Sequence, residues 1–150
     1  MRVCHVISSI HPRAGGTAAT AVGLAKAQAR CGADVRLVTT WRLVVPETLR
    51  NELAEAGVRL ELIGPALTGF ALHLDTPRVL RRHIRDADIV HIHTLWEEPQ
   101  HHAARICRQL GVPYIMMPQG MLDPWSLSQR RLFKKAYMAL RLRRQTGGPA

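Results

Sequence analysis

The sequence is poor in acidic residues and in aromatic residues, and both shortages narrow the range of partners. Only 11 aspartates and glutamates stand against 21 lysines and arginines, so the formal net charge is +10. This excess predicts attraction to an anionic partner: nucleic acid, a phospholipid surface or a phosphorylated substrate. Aromatic residues make up only 5% of the chain, whereas single-stranded nucleic acid is bound by stacking on aromatic side chains. We therefore expect no nucleic-acid partner.

Cysteine is also scarce. The three cysteines Cys4, Cys31 and Cys107 are an odd number, lie far apart and form no C-x-x-C pair. Neither a disulfide framework nor a thiolate zinc site is supported. We expect reduced, buried thiols, as in a cytoplasmic protein.

Long hydrophobic runs are missing as well. No stretch approaches the roughly 18 to 20 apolar residues of a membrane span. The first apolar run, 3–10, is too short for a secretory signal and is interrupted by His5, Ser8 and Ser9. We expect a cytoplasmic protein whose membrane contact, if it has one, is peripheral and at the inner face.

Two familiar nucleotide-binding motifs do not occur. The chain has neither G-x-G-x-x-G nor the Gly-Lys-Ser/Thr of a P-loop. The second predicted strand ends in Thr39-Thr40-Trp41, without the acidic residue that grips a ribose in dinucleotide-binding proteins. A small dinucleotide-binding protein is therefore disfavoured, and we expect no cofactor.

What the chain does have is an alternation of strand and helix patterns. Hydrophobic residues make up 47% of 150 residues, enough for the core of one domain. The predicted strands are 2–8, Asp34–Thr40, Val58–Ile63, Ile89–His93 and 113–117, and the predicted helices between them start near residues 17, 47, 76 and 99. This spacing predicts an α/β fold: a Rossmann-like open parallel sheet of about five strands with helices on both faces, in a single domain.

The first helix is predicted to be capped by Thr17 and closed by Gly32. Before it stands the turn Gly15-Gly16-Thr17, which follows the first strand. Ligands of open parallel sheets sit beyond the carboxyl ends of strands. Glycines let the backbone approach such a ligand, and free amides at a helix start attract phosphate. A glycine pair that only makes a tight turn is an equally good interpretation.

A second candidate site is His91-Ile92-His93, at the end of the fourth predicted strand. Residues i and i+2 of a strand share one face, so both imidazoles point the same way. We expect His93, nearer the strand end, to meet a ligand and His91 to lie deeper as a structural residue. A metal site completed by His101 and His102 is disfavoured, because no nearby Asp or Cys completes the ligand set.

The loop after the fifth predicted strand, 118–125, contains a glycine, two prolines and the amide of Gln119. This composition is typical of a shaped ligand loop. The loops after strands one, four and five should all open on the same edge of a parallel sheet, so the three candidate sites are expected to converge there.

The last predicted helix, 128–143, is basic and amphipathic. Its basic residues, together with Arg144 directly after it, are Arg130, Arg131, Lys134, Lys135, Arg141, Arg143 and Arg144. No acidic residue follows Asp123. Such a helix can rest on an anionic membrane surface through 130–144. The alternative is that its apolar side packs on the sheet or on another domain while the charges are solvated.

Two long segments carry a family resemblance. The opening MRVCHVISSIHPRAGGTAATAVGLAKAQARCGADVRLVTT, with its glycine-pair loop, resembles glycosyltransferase family four. The later segment ADIVHIHTLWEEPQHHAARICRQLGVPYIMMPQGMLDPWSLSQRRLFKK resembles the same family through P-x-G-M-L and the basic helix. The resemblance covers residues 1–144, and 145–150 is expected to be a frayed tail.

The resemblance implies the amino-terminal, acceptor-side domain of a retaining, metal-independent GT-B enzyme. Gly15, Gly16 and Thr17 would approach the diphosphate of a nucleotide-sugar donor, and His93 would lie beside the transferred sugar. Gln119 and Gly120 would line the side of a glycan or lipid-linked acceptor. The family usually has a basic residue at the position of Gln119, which weakens a phosphate-binding role there.

The resemblance also implies a carboxy-terminal donor domain, which these 150 residues do not contain. The leading hypothesis is therefore a truncated glycosyltransferase half that is inactive by itself. The alternative is a non-catalytic module that binds an anionic membrane or phosphate.

Overall fold

The computed structural model of the protein describes residues 1–67 and 71–122. The strands in this part of the chain are β1 (Arg2–Ile7), β2 (Asp34–Thr40), β3 (Val58–Ile63), β4 (Ile89–His93) and β5 (Tyr114–Met117). The helices are α1 (Gly16–Arg30), α2 (Glu47–Glu55), α3 (Thr76–Arg85) and α4 (Glu98–Leu110), and a short 3-10 turn, Pro12–Ala14, precedes α1. The predicted α/β alternation is confirmed.

The described strands form one sheet in the order β3-β2-β1-β4-β5. All neighbouring strands pair in parallel. Because β1 lies in the middle between β2 and β4, the chain winds outwards in one direction from β1 to β3 and then returns to build the other half. This is the order of a Rossmann-like doubly wound sheet.

Helices cover both faces of the sheet. One apolar cluster joins α1 and α2 to the sheet, with Ala21, Ala25 and Leu53 fully buried against β-strand residues. A second cluster joins α3 and α4 to the opposite face. Burial of β-strands on both sides explains why β1 and β2 read as nearly continuous apolar runs.

Most predicted boundaries agree with the structure to within about two residues, the usual uncertainty of helix and strand ends. The capping prediction for Thr17 is wrong. Helix α1 begins at Gly16 with Gly15 as its N-cap, and the Thr17 hydroxyl donates to the carbonyl of Ala14 at 3.4 Å instead of capping amides. Gly15 adopts φ 78° and ψ −152°, a conformation open to glycine and strained for other residues.

Several sequence predictions fall outside the described residues. These are residues 123–125 of the loop 118–125, the basic helix 128–143 and the tail 145–150. Within the residues that the structure does describe, no helix is both long and apolar enough to cross a membrane.

Candidate functional site

The carboxyl ends of β1 and β4 lie side by side in the centre of the sheet. From β1 the chain turns to α1 on one face, whereas from β4 it turns to α4 on the other face. The loops after these strands therefore separate and open a crevice, the topological switch point at which open α/β sheets bind ligands. As predicted, the loops after β1, β4 and β5 meet at this edge.

A carboxylate bridges this crevice. The Ser8 hydroxyl, just after β1, donates to Oε2 of Glu97 at 2.6 Å. The Thr94 hydroxyl, just after β4, donates to the same oxygen at 3.2 Å. Within the described chain, no group is hydrogen-bonded to the other oxygen of Glu97, Oε1. Oε2 of Glu97 therefore holds the two loops together, and Oε1 can accept a hydrogen bond from a ligand.

The backbone at the end of β4 is strained. Thr94 adopts φ 67°, which is an outlier for a β-branched residue. Gln100, fully buried on α4, holds this conformation by donating to the Thr94 hydroxyl at 2.6 Å and to the carbonyl of His93 at 2.9 Å. Strain held in this way costs roughly 1–3 kcal/mol and is concentrated at functional sites.

A cavity of about 490 Å³ opens beside Glu97 at this edge. Ser8, Ser9 and Thr40 contribute to its wall, together with Arg13 and Arg42. The hydroxyls of Ser8 and Thr40 already donate within the protein, to Glu97 and to the carbonyl of Ser8 respectively. The remaining lining residues are His11, Ala14, Leu43, Ala71 and Glu97. The wall thus combines hydroxyl oxygens, positive charge and a single carboxylate, which suits an anionic, hydroxyl-rich ligand.

Charge is distributed unevenly between the two ends of the sheet. At the amino end, acidic side chains neutralise arginines in the ion pairs Arg2–Asp88, Arg59–Asp34 and Arg36–Asp86. No carboxylate of residues 1–67 or 71–122 pairs with Arg13 or Arg42 at the carboxyl end. The cavity edge therefore keeps an excess of positive charge that attracts anions.

Three histidines lie together beneath the crevice. His5 of β1 is in register with His91 of β4, and their ring centroids are 5.0 Å apart. His5 and His93 stack with centroids 5.2 Å apart, and Nδ1 of His5 lies 2.9 Å from Nε2 of His93. The other nitrogen of His5, Nε2, lies 2.7 Å from Oε1 of Gln28 on α1. These contacts place all three imidazoles on the α1 face of the sheet.

The expectation that His91 lies deeper than His93 is wrong. His93 is 0% exposed, as is His5, whereas His91 is only partly buried. The amide of Gln119 in the loop after β5 contributes to this burial, since its Nε2 lies 3.0 Å from Nδ1 of His93, and the stacked ring of His5 covers the other side. A ligand that binds Nδ1 of His93 must take the place of the Gln119 amide.

Burial keeps these imidazoles neutral. Loss of hydration is the main cause that lowers the pKa of His5 to about 4 and the pKa of His93 to about 3. The neighbouring histidines act in the same direction, whereas the hydrogen bond to Gln28 opposes the lowering of the pKa at His5. Burial also lowers the pKa of His91. At neutral pH, each of the His5 and His93 rings consequently has one nitrogen that donates a hydrogen bond and one that accepts.

The predicted glycine turn lies next to the cavity. Ala14 lines the cavity, and Gly15 and Gly16 are the next two residues along the chain. A Cβ added at either glycine would meet nothing within 4 Å. Gly120 and Gln119 lie in the loop after β5, with φ values of 79° and 51°. Sequence reasoning missed His5, Gln28 and Glu97, although a histidine inside an apolar strand run is a signal that could have pointed to His5.

A metal site finds no support in the described part of the chain, where no group of three or more His, Cys, Asp or Glu side chains is arranged to hold an ion. His101 and His102, considered above as ligands, lie on the surface of α4, and His102 contacts Glu98 at 3.5 Å. A larger cavity of about 650 Å³ lies along the outer edge of β3, lined by residues such as Arg50 and Leu60. None of the candidate residues lies there.

A family model described as glycosyl transferase 4-like domain matches residues 15–147. The chain belongs to this glycosyltransferase family. The match confirms the family resemblance and implies, in general, binding of a sugar donor and an acceptor. A search of curated proteins finds no significant match.

A solved structure supports the fold of this glycosyltransferase domain. The C-terminal domain of a hydrogenase from Pyrococcus furiosus is 19% identical, with a TM-score of 0.52, over 77% of this chain and 89% of that one. A second structure of that hydrogenase domain is 17% identical, with a TM-score of 0.49 and the same coverage. At this identity the likeness extends to the fold and not to activity.

The buried imidazoles predict that the glycosyltransferase domain loses stability as pH falls from 6.5 to 5. In the unfolded chain histidines take up protons near pH 6.5, but His5 and His93 stay neutral in the folded chain down to about pH 4 and 3. In this pH window the unfolded state therefore binds more protons than the folded state. The free energy of unfolding falls by up to about 1.4 kcal/mol for each imidazole per unit decrease in pH.

Urea unfolding at several pH values between 5 and 7 measures this effect. His93→Gln removes one of the titrating groups, so its free energy of unfolding should depend less steeply on pH than that of the wild type. Equal slopes for the two proteins would show that His93 is not held neutral by the fold.

Proposed function

We propose that this domain forms the acceptor side of a two-domain, retaining glycosyltransferase. In the reaction, the bond between the anomeric carbon of the donor sugar and its phosphate oxygen breaks. A bond forms between that carbon and an acceptor oxygen, whose proton leaves, and the nucleoside diphosphate departs. The donor would be held by a second domain that faces the crevice between β1 and β4.

The observation that carries this proposal is the cavity at the switch point of a glycosyltransferase-family domain. The Ser9 hydroxyl can donate to a sugar, whereas the hydroxyl oxygen of Ser8 and Oε1 of Glu97 can accept from a sugar hydroxyl. Arg13 and Arg42 on the same wall favour a negative charge on the ligand. We therefore propose an acceptor sugar that carries a carboxylate or a phosphate.

The remaining site residues receive proposed roles from the family resemblance. Gly15, Gly16 and Thr17 would face the donor diphosphate, since the space beside both glycines is open. His93 would lie beside the transferred sugar once Gln119 moves aside. Gln119 and Gly120 would then line the acceptor.

Binding of simple sugars to the chain tests the acceptor proposal. Glucuronate and glucose 6-phosphate should bind and shift the amide NMR signals of the cavity residues, whereas neutral glucose should bind about tenfold more weakly or not at all. Arg42→Gln should weaken binding of both anions by about tenfold, the value of roughly one charge-assisted hydrogen bond.

Arg30→Gln is the matched control, because Arg30 is an exposed arginine at the end of α1 that does not line the cavity. Equal weakening by Arg30→Gln and Arg42→Gln would mean that net charge alone attracts these ligands. Equal binding of glucose and glucuronate would reject the anionic acceptor. Stronger binding of one anion than the other would distinguish a phosphate source from a carboxylate.

A pair of glycine substitutions tests the donor side. Gly16→Ala fits the helix start of α1 without collision and should leave stability unchanged or slightly higher. It should nevertheless reduce transfer from labelled nucleotide sugars, because the methyl group would occupy the space proposed for the diphosphate. Transfer is measured with a separately supplied donor domain from the same family.

Gly23→Ala, in the middle of α1 and equally free of collision, is the control and should not reduce transfer. Equal activity of the Gly16 and Gly23 variants would leave the glycine turn with a purely structural role. Normal turnover by the chain without any added donor domain would contradict the two-domain proposal.

A second candidate function is peripheral binding to anionic membrane through 130–144. It is favoured by the run of basic residues and the absence of acids after Asp123 in the sequence. The chain should sediment with vesicles that contain phosphatidylglycerol and not with pure phosphatidylcholine vesicles, and salt should release it. Sedimentation that is independent of lipid charge and of salt would rule this function out.

A further inference from the structure

Four side chains form a continuous hydrogen-bonded row from the edge of the sheet to α1. The row starts at Gln119 in the loop after β5, passes through His93 and His5, and ends at Gln28. Its successive distances are 3.0, 2.9 and 2.7 Å. The two histidines in the middle are fully buried, so a ring nitrogen that lost its partner in the row would find no water to replace it.

The amides at the two ends determine where the protons lie. Oε1 of Gln28 can only accept a hydrogen bond, so Nε2 of His5 must carry a proton. A neutral His5 then has a lone pair on Nδ1, and the facing Nε2 of His93 must carry a proton in turn. Nδ1 of His93 is left with a lone pair, which accepts from the amide Nε2 of Gln119. Every contact in the row is thereby one donor facing one acceptor.

We propose that Gln28 and His5 are positioning residues that hold His93 as the Nε2–H tautomer. Nδ1 of His93, the nitrogen that faces Gln119, is then a hydrogen-bond acceptor. When Gln119 moves aside, this nitrogen accepts a hydrogen bond from a sugar hydroxyl. It repels a phosphate oxygen, because that oxygen is itself an acceptor. This inference refines the proposed function, because it specifies which group of the ligand His93 can bind.

The row orients His93 but does not conduct protons away from it. An amide oxygen such as that of Gln28 is too weak a base to keep a proton, so a proton that entered at Nδ1 of His93 would have no terminal acceptor. The low dielectric around the buried rings strengthens each hydrogen bond and makes the opposite tautomer, with two lone pairs facing each other, costly. Orientation is thus the property that this arrangement supplies.

The tautomer of His93 can be observed without any ligand or activity. Two-bond ¹H–¹⁵N correlation spectra of the full chain, labelled with ¹⁵N-histidine and recorded at neutral pH, distinguish Nδ1–H from Nε2–H. His93→Gln identifies the His93 signals by their disappearance. We expect the wild type to show His93 and His5 both as Nε2–H tautomers.

Substitutions at Gln28, which is partly exposed on α1, test the cause. Gln28→Leu removes the acceptor, so His5 and then His93 should lose their single tautomer and show a mixture or the Nδ1–H form. Gln28→Glu restores an acceptor oxygen and should restore the wild-type tautomer. Lys26→Met, two residues away and contacting Glu52 instead of a histidine, is the control and should change nothing at His93.

An Nδ1–H tautomer of His93 in the wild type would overturn the proposal. So would an unchanged tautomer in Gln28→Leu when its amide spectrum shows that the variant is folded. Failure of the sugar-binding or transfer experiments would reject the proposed function and leave the tautomer result intact, so the two failures can be told apart.

Discussion

The parallel pairing of β1 with β4 is the constraint on which the rest of the site depends. Its register places His5 opposite His91 and brings the ends of both strands to one edge of the sheet. The helices that follow these strands lie on opposite faces, so the two loops diverge and leave a crevice. The Ser8–Glu97 contact, the cavity and the imidazole row all exist because these two strands, which are distant in sequence, are neighbours in space.

Hydrogen bonds between polar groups in this centre hold both their side chains and a strained stretch of backbone in place. Gln100 holds Thr94 at a positive φ, and the resulting turn presents Glu97 to Ser8. Buried amides and imidazoles are unfavourable when unpaired, but a fully paired row costs little and fixes a single arrangement. Rigidity of this kind is what a transferase needs, because small errors in position lower the rate of transfer steeply.

Charge is distributed differently at the amino and carboxyl edges of the sheet. Acidic side chains pair with arginines at the amino edge, where Asp88 contacts Arg2 and the contact lowers the pKa of Asp88. The carboxyl edge keeps Arg13 and Arg42 beside the cavity. The large net charge of the chain is therefore directed partly towards the proposed ligand site, and the electrostatic field there favours anionic ligands over neutral ones.

The sequence by itself determined the α/β alternation, the strands β2, β3 and β4 to the residue, and the positions of the loops that meet at the edge. These features follow from local patterns: β-branched runs, helix periodicity and glycines at helix ends. The tertiary structure decided that His5 pairs with His93, that Gln28 and Gln119 end the row, and that Glu97 joins two loops. These are contacts between residues 23 to 89 positions apart, and no local pattern encodes them. For the same reason the burial of His93 could not be predicted, because the group that covers it comes from a different strand's loop.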